Sequence, residues 1–342
     1  MTTGMNHGAG DARPYEFKRL VLDPAVLRGS LALRAATARR RAQLAEAIER
    51  ERRFLESSAS YREAVSGRPA AADVQHRIEL DGLTWWVPVA ATADPASIAR
   101  VVSHQDFPYR VIVQTREVSI GGIMLDIGSN VGRMSIPRVI LGDVRAAYCA
   151  EPEPLNYACL VRNARDNGLA GLVLPDRVAV GAADGTVRLV RAKSPGGHQI
   201  VAEGVQAKGE TIDVPCLTLD SWCARLGLDP GDVSFVKLDA QGSEMDVLAG
   251  ATRLLGCRHV AWQIEIDLLI LGERGVTAEA FFDALRPHFT HWLDLNKRAT
   301  GARVRPIGHL GAGLAYLRTG GGSRTDVLLF TLQDPTSPAE HT

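Results

Sequence analysis

The stretch LDIGSNVG, Leu125 to Gly132, places Asp126 at the end of an apolar run and brackets a Ser-Asn pair between Gly128 and Gly132. Glycines at a strand-to-helix turn let a backbone come close to a ligand. About twenty residues farther on, Glu151 ends the run RAAYCA, the distance at which an acid meets ribose hydroxyls in dinucleotide folds. Asp239 follows SFVKL, and Glu265 lies near the end of VAWQIE. His198 lies in the glycine-bearing excursion SPGGHQIV. A base at hydrogen-bond distance activates an alcohol nucleophile, and the ranking here is Asp239, then His198, then Glu265.

Three ligand types compete for the turn. A P-loop ends in Gly-Lys-Ser/Thr so that lysine meets phosphate, whereas this turn ends Gly132-Arg133-Met134. A dinucleotide turn has a third, middle glycine and a helix N-terminus facing pyrophosphate. Here the middle glycine is missing, and Asp126 stands where a phosphate would be unwelcome. S-adenosylmethionine carries an ammonium, a sulfonium and two ribose hydroxyls, and no phosphate, so carboxylates are suitable neighbours. An NAD-linked oxidoreductase shares the turn and the acid and stays an alternative.

The elements that must hold these residues follow from periodicity. Leu27 to Val65 reads as one helix, with Leu44, Ile48 and Leu55 as its apolar stripe. Ser66 to Asp73 reads as a linker, and RIEL-DG-LTWWVPV as a hairpin about Asp81-Gly82. In that hairpin Trp85 and Trp86 face opposite ways. DPASIARVV opens a helix capped by Asp94. From Gly121 strands alternate with helices, the pattern of a parallel sheet covered on both faces, which binds ligands at the carboxyl ends of its strands. The expected organisation is a start at 1–26, a helix, linker and hairpin region at 27–120, the ligand-binding α/β domain at 121–332, and a tail at 333–342.

Four segments carry a family resemblance: LDIGSNVG, EPEPLNYACLVRNARDNG (Glu151 to Gly168), VKLDAQGSEMDVLAGATRLL (Val236 to Leu255) and WQIEID (Trp262 to Asp267). In order and spacing the chain resembles the FkbM family of S-adenosylmethionine-dependent methyltransferases from about Gly121 to Leu332. The resemblance implies a class I methyltransferase fold, a seven-stranded Rossmann-like sheet whose last strand, TDVLLFTL, runs antiparallel. It implies S-adenosylmethionine as cofactor and O-methylation of a sugar, glycan or natural-product hydroxyl. Asp126, Gly128, Asn130 and Gly132 take the first cofactor motif, Glu151 the ribose role, and Asn156 belongs to the same signature. One position departs: family members often carry Glu where this chain has Gln241, and a glutamine is never a base. No metal requirement is carried over.

The bulk composition limits the partners. Lys plus Arg and Asp plus Glu both number 39, for a net charge of zero, which argues against a general nucleic-acid binder. No apolar run is long enough to span a membrane, and the N-terminus lacks a secretory signal. The five cysteines sit in no C-x-x-C pair, so reduced thiols in a cytoplasmic protein are expected. His288 and His291 read as ordinary loop histidines, with no metal set around them. The partner expected is a small-molecule or glycan acceptor, with a homodimer through the N-terminal helix as a further expectation. Gln241 and the long helix also admit a degenerate cofactor- or partner-binding module without turnover.

Overall fold

A computed structural model describes residues 45–66, 75–88, 111–112, 114–115, 118–119, 121–192, 196–201, 207, 209–295, 303–318 and 323–332. The expected start and tail, the helix before residue 45 with its Arg39–Arg41 run, most of the linker, and the Asp94-capped helix lie outside these residues.

The N-terminal region forms two helices rather than one, α1 (Ala45–Ser57) and α2 (Ala59–Ser66). Ser58 breaks the run because its hydroxyl competes for local backbone groups. Its Oγ accepts from the Tyr61 N–H at 3.2 Å and donates to Asp176 at 2.8 Å. Of the expected stripe, Leu55 packs against the core, Leu44 lies outside the described residues, and Ile48 faces outward. Ile48 is 57% exposed, and the buried positions are Ala47, Arg50, Phe54 and then Tyr61. A charged residue occupies a core position because Arg50 donates to the carbonyl of Gly171 at 2.8 Å. Hydrophobic periodicity cannot register such a residue. Phe54 and Tyr61 join the same core cluster as the main sheet, so these helices share the core of the α/β domain.

Next comes a hairpin, β1 (Gln75–Leu80) and β2 (Leu83–Pro88), turning at Asp81 and Gly82, both with positive φ. That conformation suits the twist of a two-residue hairpin. Trp85 is buried, and Trp86 lies outside it beneath the Arg162 guanidinium, 3.6 Å from the ring centroid.

The α/β domain then runs β3 (Ile123–Ile127), α3 (Ser135–Leu141), β4 (Ala146–Ala150), α4 (Pro154–Asp166), β5 (Val173–Asp176) and β6 (Ala179–Val180). It continues through β7 (Gly185–Val190), β8 (Gln199–Ile200), β9 (Thr211–Leu217), α5 (Leu219–Leu226), β10 (Val233–Leu238), α6 (Glu244–Ala249) and α7 (Thr252–Leu255). It closes with β11 (Ala261–Asp267), α8 (Leu268–Glu273), α9 (Ala278–Leu285), β12 (His291–Asp294), β13 (Arg305–Pro306) and β14 (Arg324–Phe330).

Among the described residues the main sheet has eight strands, ordered β13-β12-β14-β11-β10-β3-β4-β5. The count exceeds seven by β13, a two-residue edge. Strands β5, β4, β3, β10 and β11 pair in parallel, and β14 runs antiparallel to β11 and β12. The strand-like runs at β7 and β9 do not join this sheet. They pair antiparallel in a second, four-stranded sheet, β6-β9-β7-β8, with its own small core of Ala179, Leu189, Val214 and Cys216. Residues of β3, β4 and β10 are almost all buried, as strands covered on both faces must be. Among the described residues no helix is long and apolar enough to cross a membrane. Of the five thiols, Cys257 is half-buried and the others are buried.

The hairpin is docked by asparagines. Asn167 on the C-terminal side of α4 accepts from the Thr84 N–H at 3.0 Å and donates to the Thr84 carbonyl at 2.7 Å. One helical turn earlier, Asn163 makes the same exchange with the N–H and carbonyl of Trp86. Asn163 also donates to the carbonyl of Val131 in the glycine turn at 2.8 Å. Two side-chain amides thus satisfy the β2 main chain as a neighbouring strand would. Replacing Asn163 with leucine strands these buried groups. The expected loss is about 2–3 kcal/mol in urea unfolding, at 1–3 kcal/mol for each buried polar group left without a partner; a loss under 0.5 kcal/mol would contradict this docking.

Candidate functional site

Register across the sheet gathers the polar residues. Asp126 on β3 pairs in register with Lys237 on β10, and Lys237 with Gln263 on β11. Alternation along the strands then places Asp239 and Glu265 on that same face two residues later, and Glu265 pairs directly with Asp326 of β14. Lys237 is 5% exposed. Its ammonium donates to the Gly128 carbonyl at 2.9 Å and lies 3.2 Å from Asp239 and 3.6 Å from Asp126. Burial alone would lower the Lys237 pKa, but Asp239 and Asp126 outweigh it and hold the ammonium above its ordinary value.

The carboxyls diverge according to their neighbours. Burial pushes Asp126 upward against the pull of Lys237. Burial acts the same way on Asp239, but there Lys237 and a hydrogen bond from Gln241 prevail and hold it below its usual range. Glu265 is driven well above its usual range by burial and by the charges of Asp239 and Asp326. Asp326 is raised to about 6, chiefly by burial. Gln241 sits between two of them: its Nε2 donates to Asp239 at 2.6 Å and to Glu265 at 2.9 Å. Its φ of 49° is in the left-handed region, a strained setting for a non-glycine residue.

Glu151, at the end of β4, is 5% exposed and raised to about 7 by burial. One oxygen accepts from the Asn130 N–H at 2.8 Å and the other from the Glu153 N–H at 3.0 Å. Each oxygen keeps a further lone pair. Asn156 is buried in the first turn of α4 and donates its N–H to Glu153. Glu153 itself caps α4 and pairs with Arg191 at 2.9 Å.

The backbone donors of the turn are already committed. Gly128 and Ser129 donate to the Ala150 carbonyl at 3.0 and 3.1 Å. Asn130 donates to Glu151, Val131 to the Asn130 side chain at 2.7 Å, and Gly132 to the Ser129 carbonyl at 2.9 Å. The glycines also serve packing. A Cβ on Gly128 would stand 1.8 Å from the Asp239 carbonyl oxygen, and one on Gly132 would stand 2.6 Å from Leu160.

The three base candidates separate. Asp239 and Glu265 are joined through Gln241. The Nδ1 of His198 accepts from the Ala192 N–H at 3.0 Å. Burial lowers its pKa, against Glu153 and alongside Arg191. Among the described residues no hydrogen bond links His198 to Asp239 or Glu265. The excursion does reach the turn: a Cβ on Gly196 would lie 3.7 Å from the Asn130 amide nitrogen. Arg274, just beyond α8, fastens the excursion by donating to the Ile200 carbonyl at 2.7 Å and to Asp246 of α6 at 2.7 Å.

Sequence patterns missed Asp326, Gln263 and Arg274. Asp326 and Gln263 could have been found only by pairing β14 with β11, and Arg274 carries no motif. Glu244 accepts the N–H groups of Ala240 and Gly242 at 2.9 and 3.2 Å. Among the described residues, no three His, Cys, Asp or Glu side chains converge as a metal set.

This is an α/β domain with carboxyls collected at the ends of its central parallel strands. The family model of the methyltransferase FkbM domain matches residues 126–300, just over half of the chain, and the chain belongs to that family. Among solved structures, methyltransferase FkbM from Methylobacillus flagellatus KT is 17% identical, with 61% of this chain and 44% of that chain covered and a TM-score of 0.37. This chain therefore spans under half the length of that protein. M. jannaschii TYW2 in complex with AdoMet is 12% identical, with 76% and 87% covered and a TM-score of 0.35. The B. subtilis M1A22 tRNA methyltransferase TrmK is 12% identical, with 65% of each chain covered and a TM-score of 0.34. No curated protein matches the sequence.

Gly128→Ala tests the packing of the turn. Its Cβ meets main chain at a positive φ, so a loss of at least about 2 kcal/mol in unfolding free energy is expected. An unchanged unfolding midpoint would refute the close approach of the turn to β10.

Proposed function

We propose that the chain is an S-adenosylmethionine-dependent methyltransferase of class I architecture acting on a hydroxyl of a sugar, glycan or natural product. The observation that supports it is the donor set. The turn has spent its N–H groups within the protein, while carboxyls of Asp126, Glu151 and Asp239 stand at the ends of three adjacent strands. A pyrophosphate needs free N–H groups, so the NAD-linked alternative is disfavoured. A cation with ribose hydroxyls needs acceptors, and Glu151 retains lone pairs for them.

When bound, S-adenosylmethionine supplies a methyl group already made electrophilic by the sulfonium. Glu151 holds the ribose, Asp126 and Asp239 favour the positive charge, and Gly128, Asn130 and Gly132 shape the turn beside it. Asn156 supports the start of α4 behind Glu151. The chain's task is then to align the acceptor oxygen at about 3 Å and receive its proton. Asp239 is the base, with Glu265 joined to it through Gln241; His198 is the second candidate. The bound donor would supply the methyl group and keep the electron pair of its S–C bond on sulfur, while the carboxylate of Asp239 would take the acceptor's proton.

Two expectations follow for isothermal titration with S-adenosylmethionine or S-adenosylhomocysteine. Glu151→Ala weakens binding by about 1–3 kcal/mol, the scale of hydrogen bonds to a charged group; wild-type affinity in that variant would refute the ribose role. The ribose hydroxyls favour ionised Glu151, whose carboxyl is raised by burial to about 7. Binding must expel that proton at lower pH. Affinity therefore falls by up to about tenfold per pH unit below 7 and levels above 8, and Glu151→Ala loses this dependence. No binding at any pH would end the methyltransferase reading. A labelled-methyl screen across sugars, glycolipid precursors and macrolide alcohols then identifies the acceptor, and sedimentation tests the homodimer.

A further inference from the structure

The approach to α4 reads Glu151-Pro152-Glu153-Pro154. Proline has no N–H, so of residues 152 to 154 only Glu153 can donate a main-chain hydrogen to Glu151. That N–H meets one Glu151 oxygen at 3.0 Å, and the Asn130 N–H meets the other at 2.8 Å. The aim of the Glu151 carboxyl therefore depends on where the Glu153 main chain points. Pro154 restricts Glu153 to extended backbone, and its φ of −74° and ψ of 123° are of that kind.

The Glu153 side chain is 1% exposed and uses both of its oxygens. One caps α4, accepting from the N–H groups of Leu155 and Asn156 at 2.8 and 2.7 Å. The other takes the Arg191 guanidinium, through Nε at 3.0 Å and a terminal nitrogen at 2.9 Å. Arg191 directly follows β7, and its own N–H donates to the carbonyl of Glu210, just ahead of β9, at 2.9 Å. The cation that meets Glu153 is thus supplied by the second, four-stranded sheet. A carboxylate this deep needs a counter-charge. Deprived of the guanidinium, it would turn toward water, and the cap and the Glu153 N–H would move with it.

We propose that Arg191 is a positioning residue for cofactor binding, acting through Glu153 to hold Glu151 in place for the ribose hydroxyls. The inference rests on the methyltransferase reading above and gives the second sheet a part in that same site. Both Arg191 nitrogens meet a single Glu153 oxygen, so the need is for a cation at that point rather than for a planar fork. A lysine can meet it and a methionine cannot. The other partner of Arg191 is Glu210 at 3.1 Å, with a side chain 67% exposed. Such exposed pairs contribute little, and Glu210 lies off the path to Glu151.

The test is isothermal titration of S-adenosylhomocysteine at pH 8 into the full chain and its variants, with the unfolding midpoint of each recorded alongside. Arg191→Met weakens binding by about five- to tenfold, the range of residues coupled in one network. Arg191→Lys and Glu210→Gln each stay within about twofold of the wild type. In a Glu151→Ala background, Arg191→Met costs less than about a further twofold, because the acid it positions is gone. Should Arg191→Met fail to fold, the same cycle is run with Arg191→Gln, which has no charge to offer Glu153 and loses about threefold or more. Wild-type affinity in the uncharged variant, no recovery in Arg191→Lys, an equal loss in Glu210→Gln, or losses that simply add in the double variant would each overturn the proposal and leave the methyl-donor reading standing. Absence of binding by the wild type refutes that reading, and the role of Arg191 with it.

Discussion

The buried ammonium of Lys237 is the constraint around which the site is arranged. An isolated charge in a protein interior is costly unless it is paired and hydrogen-bonded. Lys237 meets that demand with three partners from different places in the chain: Asp126, Asp239 and the carbonyl of Gly128. One cation therefore fastens the end of β10 to the end of β3 and to the turn that leaves it. Two carboxyls share that ammonium unequally: burial raises Asp126 against it, while Asp239 is held low.

Strand order does the rest of the gathering. Because β10 lies between β3 and β11, the acids of three non-consecutive segments meet at one edge of the sheet. The antiparallel β14 adds Asp326 from the far end of the chain. The smaller sheet stands apart from this row; Gly196 of its excursion comes near Asn130, and Arg274 holds Ile200. A buried pair of the opposite kind, Arg138 with Asp143, both 0% exposed, holds the base of α3 and stacks the guanidinium over Phe235 at 4.3 Å. Charge thus appears both at the ends of the central strands and deep in the core.

Much of this was legible before any coordinates. The alternation of strands and helices, the hairpin at Asp81-Gly82, the acids at strand ends and the final strand all follow from patterns spanning fewer than twenty residues. What escaped required knowledge of register. Asp326 and Gln263 matter only because β14 lies against β11. Arg50 occupies a core position that a hydrophobic stripe cannot predict. The single N-terminal helix became two because Ser58 found Asp176, a partner more than a hundred residues away. The glycines of the turn were legible as glycines, but their reasons, Asp239 main chain behind Gly128 and Leu160 beside Gly132, were not.

The asparagines of α4 have a consequence beyond holding the hairpin. A short two-stranded ribbon presents exposed main-chain edges, and such edges invite pairing with other chains. Asn163 and Asn167 seal the outer side of β2 with amide groups borrowed from a helix, so no extra strand can be added there. The protection comes from the same helix whose N-terminus adjoins Glu151, so the sealing of that edge depends on the same element that stands beside the acid.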